Sequence, residues 1–149
     1  MRALTVAFAF GLCFAAAACT SHPKAPAGRW EGTFETQDTM VAARLEVAAD
    51  GSVRISAPDA LGIQTNDANE RATIRASLAQ DLAAHWDAVT PRPMDFDGKT
   101  FRKPGGIAPQ IEWNAHNNVM VLVVYFGTAP AIRIPLKPVK DFSDDPWPS

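Results

Sequence analysis

Residues 41–89 read VAARLEVAADGSVRISAPDALGIQTNDANERATIRASLAQDLAAHWDAV, and the spacing of their apolar side chains changes part-way along. Up to Ala57 the period is two. Val41, Ala43, Leu45 and Val47 share one face, with Arg44 and Glu46 on the other. After the turn signal Asp50-Gly51, Val53, Ile55 and Ala57 alternate with Ser52, Arg54 and Ser56. Glycine reaches positive φ without steric cost, which suits a hairpin. Beyond Gly62 the period becomes helical. Ile74, Leu78, Leu82, Trp86 and Val89 recur every three or four residues, while Arg71, Arg75, Gln80, Asp81 and Asp87 fall largely elsewhere on the wheel. Asp67 can cap this helix, with Glu70 three residues on as a capping box, and Pro91 and Pro93 end it. The segment predicts two antiparallel strands followed by one helix near Asp67–Ala88.

Working outward, Arg29–Thr36 alternates as well. Trp30, Gly32 and Phe34 face one way, Glu31, Thr33 and Glu35 the other, which makes a three-strand meander with one apolar face. Downstream, Met94-Asp95-Phe96, the turn Asp97-Gly98 and Lys99–Arg102 read as a short hairpin with Met94, Phe96 and Phe101 on one face. Lys103-Pro104-Gly105-Gly106 is a loop. Gln110–Trp113 alternates, and Asn114–Asn118 is a polar turn. Val119–Phe126 is nearly continuous in apolar residues, so it reads as the central strand with the helix on one side. Ile132, Ile134 and Leu136 alternate with Arg133 and Pro135, and the proline argues for an edge position. The expected fold is α+β: a mostly antiparallel, curved sheet of about six to seven strands packed by the one long helix.

The chain has 149 residues, with 14 Lys+Arg against 16 Asp+Glu and a net charge of −2. That length suits a single domain, expected over 29–140. The charge balance speaks against a nucleic-acid partner, since a duplex binder needs a basic face to displace counterions.

The N-terminus carries a separate signal. Met1-Arg2 is a short positive start, and Ala3 to Phe14 is an uncharged apolar run too short for a permanent membrane span. Ala15-Ala16-Ala17-Ala18 then leads to Cys19. Small residues immediately before a cysteine resemble the lipobox of bacterial lipoproteins, with Ala16 where that family commonly has Leu. The resemblance implies a signal peptide over 1–18 and acylation (palmitate among the chains) of Cys19. An ordinary signal peptidase can also read Ala16-Ala17-Ala18. The cysteine count favours the lipid route: Cys13 lies inside the signal, so an exported chain would keep one thiol without a disulfide partner.

Residues 19–28, small, polar and proline-containing, read as a lipidated tether with nothing to pack. Each buried acyl methylene contributes about 0.8 kcal/mol, and the several chains that the resemblance implies would give firm attachment. Thr20 in place of Asp after the cysteine implies, by the same resemblance, the outer membrane facing the periplasm. The acidic end, 141–149, reads as a loose, flexible tail.

Candidate chemistry is sparse. His22, His85 and His116 share no metal-ligand spacing, and Asp95-x-Asp97-Gly98 is a fragment of a calcium loop that reads as a plain turn. No nucleophile elbow or phosphate-binding loop is present, and no cofactor is expected. The richest segment is Phe96–Trp113, with Arg102 and Lys103 as possible anion contacts beside two glycines and the aromatic Trp113. Trp30, Trp86 and Trp113 also read as core, and Trp147 as exposed or as a docking residue. Gly28-Arg29-Trp30 resembles the G-x-W opening of lipocalin-type barrels, which implies a concave ligand-binding sheet.

Three functions follow. The first is a non-enzymatic envelope lipoprotein, bound to the membrane through Cys19, with a binding or structural role toward an envelope partner. The second is a binder of a small anionic or glycan-like ligand in a sheet pocket, and the third a hydrolase using acids that meet across the sheet.

Overall fold

The alternating start of the domain forms the meander that its period implies. In the computed structural model, which describes residues 22–127 and 131–148, β1 (Gly28–Glu35), β2 (Thr39–Val47) and β3 (Val53–Ser56) pair antiparallel. β4 (Asp59–Leu61) continues along β2 beyond β3. Helix α1 (Ala68–Ala88) follows, its first amides capped by Asp67, whose carboxylate accepts from the Asn69 and Glu70 N–H groups. Then come β5 (Asp95–Phe96), β6 (Thr100–Arg102), β7 (Pro109–Asn114), β8 (Val119–Val124) and β9 (Ile132–Val139). The sheet runs β3-β2-β1-β9-β8-β7-β6-β5, and all pairs are antiparallel. It curls far enough for one bridge to join its ends: Val53 and Arg92 exchange both backbone hydrogen bonds at 2.9 Å.

The concave face encloses Trp30, Leu45, Phe101, Ile111, Met120, Ile134 and Leu136, all buried, with Met94 and Phe96 packed at the edge. Phe96 and Phe101 stack at 4.4 Å, so this hairpin presents its apolar face as expected. Its turn is shifted by one residue: Asp97 and Thr100 close it around Gly98-Lys99.

The α+β class and the curled antiparallel sheet agree with the expectation; several details do not. The sheet has nine strands rather than six or seven, and β4 was not anticipated. The helix packs on β2, not on the strand at 119–124. Met40 and Ala42 are fully buried beneath Leu78 and Leu82, and the small Ala42 leaves room for a close approach. β9 is not an edge strand but sits between β1 and β8. Its ladders change over within the strand: Ile132–Leu136 pair with β8, and Lys137–Val139 pair with β1. Pro135 therefore lies where the β1 ladder has already ended, and its missing N–H costs that side nothing. At the changeover a Cβ on Gly32 would stand 2.3 Å from the Pro135 carbonyl oxygen, so only glycine permits this approach.

The segment read as a loose tail lies across the helix side and makes specific contacts. Phe142 meets Trp86 edge-on at 4.7 Å, and the Trp147 indole N–H donates to the Arg75 carbonyl at 3.2 Å. Among the described residues no helix is long and apolar enough to cross a membrane. Cys19 and the signal reading over 1–18 lie outside the described residues.

Candidate functional site

Curling brings β3 and the segment after α1 to the two lips of a seam. Pro91 and Pro93 flank Arg92, so Arg92 supplies the N–H and carbonyl that bridge to Val53, and proline fixes φ on either side. Beside this bridge opens a cavity of about 750 Å³. Its deep wall is apolar: Val53, Leu122 and Val123 are buried, and Ile55, Val89 and Met94 half-buried. Its outer lip carries the exposed side chains of Arg92 and Lys103, with Gln110 between solvent and floor. The lining contains no carboxylate. A pocket of this volume, apolar within and sparsely polar at its rim, suits a small molecule with one charged end.

The three residues singled out in the sequence do not converge. Lys103 lines the cavity. Arg102 does not: its guanidinium donates to the Asp97 carboxylate at 2.6 Å and to the Ile107 carbonyl at 3.1 Å. It thereby clamps the loop that carries Lys103. Trp113 packs edge-on against Trp30, with ring centroids 6.0 Å apart. Arg92, Met94, Val53 and Ile55 were not anticipated. The available signal was Pro91-Arg92-Pro93, where a cation sits on a rigid stretch at a chain reversal.

Asp97 is committed to its turn. It accepts from the Lys99 and Thr100 amides, the Thr100 hydroxyl and Arg102. The amide donors, with Arg102 as a lesser cause, hold its carboxyl well below the usual range. Among the described residues no cluster of three metal-ligating side chains occurs.

A second cavity, about 560 Å³, lies on the other side of Pro93 and Met94, between residues 22–25 and the Asp50-Gly51 turn. Ala25 packs against the core, and Pro23 approaches Gly98. Residues 22–25, expected to have nothing to pack, therefore rest on the domain rim next to the seam.

The convex face under the helix carries charges of another kind. Arg44 and Glu31 form an ion pair at 3.0 Å with side chains 7% and 6% exposed. Arg44 also donates to the Ser143 carbonyl, Glu31 accepts from the Ser143 N–H, and the Phe142 ring covers the guanidinium. Alternation puts Arg44 on the face opposite the apolar one, and here the tail covers that face. Glu35 takes both Arg71 and Arg75 at 2.8 and 2.9 Å, and the Arg75 hydrogen bonds are the first cause of its lowered pKa.

The chain matches no family model, no curated protein and no solved structure.

Proposed function

We propose that this protein is a lipid-anchored component of a bacterial envelope, held through acylated Cys19 on the periplasmic side, with a binding role rather than a catalytic one. The outer membrane is the proposed location. The observation that supports the anchored reading is in the sequence, where small residues Ala15-Ala16-Ala17-Ala18 follow an apolar run and end at Cys19; the course of residues 22–25 sets how an anchored domain would sit. His22 is three residues from Cys19, and by Ala25 the chain already packs against the core. Three residues span at most about 11 Å, so an acylated Cys19 would hold the rim formed by Gly98 and Asp50-Gly51 close to the bilayer. Metabolic labelling with an alkyne fatty acid tests this. Wild type should take the label and Cys19→Ser should lose it; an unlabelled wild-type chain would contradict the anchor.

A second reading, small-ligand binding by the curled sheet, is favoured by the seam cavity with Lys103 and Arg92 at its lip. The hydrolase reading gains nothing there, because two acids would have to face the same cleft.

A further inference from the structure

Eight arginines lie among the described residues, and seven have a carboxylate within ion-pair distance: Arg29, Arg44, Arg54, Arg71, Arg75, Arg102 and Arg133. Arg92 is the exception among them, and it lines the seam cavity. A guanidinium stays charged at every physiological pH and presents a planar fork that fits a carboxylate or phosphate through two hydrogen bonds. Solvent at the lip makes the unpaired state tolerable, while the wall behind it is apolar. The backbone of Arg92 is fixed by its flanking prolines and by the two hydrogen bonds to Val53. A contact made from so rigid a point costs rotamer entropy of the side chain but none of the backbone. Lys103, the second cation of the lip, has no carboxylate partner among the described residues and adds to the field.

We infer that the seam cavity binds a single-chain amphipathic anion. Its carboxylate or phosphate head pairs with Arg92, Lys103 lies nearby, and its hydrocarbon body rests on Val53, Ile55, Met94 and Leu122. A strongly polar ligand fits poorly, because it would leave hydrogen-bonding groups unpaired against that wall. A cationic ligand meets two like charges. The inference deepens the ligand-binding reading and does not depend on the anchor, so it is tested on the chain carrying Cys19→Ser; failure of the fatty-acid label on wild type would leave it standing.

The probe is a dansylated undecanoic acid, whose emission rises and shifts to the blue in an apolar site. Saturable binding is expected, displaced by dodecanoate or dodecyl phosphate, and the stronger of the two identifies the head group. Dodecanol and dodecyltrimethylammonium should displace it poorly. Arg92→Gln should weaken binding by about tenfold or more, the scale of a lost charge-assisted contact. Arg75→Gln makes the same charge change on the helix, at a residue outside the cavity lining, and should leave binding within about twofold. Ile55→Trp should weaken binding by placing a large ring over the apolar wall while keeping both cations. Circular dichroism of each variant shows that the fold is retained. Several results would overturn the inference: no saturable binding to the folded protein, unchanged affinity in Arg92→Gln, displacement by dodecanol equal to that by the anions, or a doubled mass without probe binding, which would make the cavity an interface between copies.

Discussion

The two sides of the curled sheet treat charge differently. On the helix side, Arg44 and Glu31 are sealed beneath Phe142 and Ser143, and Glu35 holds two arginines. On the seam side, Arg92 and Lys103 stand at the lip of an apolar cavity with no carboxylate in its lining. Burial accounts for the contrast. A charge withdrawn from water must be paired and hydrogen-bonded, whereas one at a solvated lip need not be. The paired arginines tie elements of the fold together, and the unpaired one stands where we propose that a ligand's head group is held.

The contrast can be broken most sharply at Arg44. Arg44→Ala strands Glu31 in a buried site and should cost about 3–5 kcal/mol. Replacing both partners by apolar residues of similar size, Glu31→Leu with Arg44→Met, should cost much less. Urea unfolding of wild type and these two variants measures this. Next in size is the tail. Truncation after Asp141 removes Phe142 and Ser143 and leaves the buried pair partly unsatisfied, at about 1–3 kcal/mol; unchanged stability would mean the tail contacts contribute nothing.

The smallest effect is acid sensitivity. Asp97 and Glu35 both have folded pKa values lowered from the ordinary carboxylate range, the first mainly by turn amides and the second mainly by Arg75. Their stabilisation is therefore present above the unfolded values, at about pH 4, and is lost as pH falls through the folded ones. The urea midpoint should decline below about pH 5, and Asp97→Asn should flatten part of that decline.

Much of this architecture was readable from period and turn chemistry. The two-residue alternation of β1 to β3, the Asp67 cap and the stripe Leu78, Leu82 and Trp86 all appear where the spacing puts them. What escaped did so for physical reasons. Alternation tells which residues share a face but not what covers it, so Arg44 on a strand looks the same whether it meets water or Glu31. Met40 and Ala42 give no hint that a helix lies on them. Pro135 argues for an edge only if its strand keeps one partner on each side throughout, and β9 changes partners instead. In the site, Lys103 was legible from its loop, while its neighbour Arg102 turned out to be the clamp of that loop. Arg92 gives no such sign, because Pro91 and Pro93 read as a helix stop and the cavity beside it forms only when the sheet curls to meet Val53.

An arginine scan by chemical denaturation addresses the division between the two sides most directly, with each of the eight arginines among the described residues changed in turn to glutamine. The account predicts that Arg44→Gln is the most costly, by several kcal/mol, at about the scale of a broken buried pair. Arg92→Gln should be the mildest, within about 0.5 kcal/mol of wild type. If Arg92→Gln destabilises the fold as much as Arg44→Gln does, the seam cation is a structural element and the division fails.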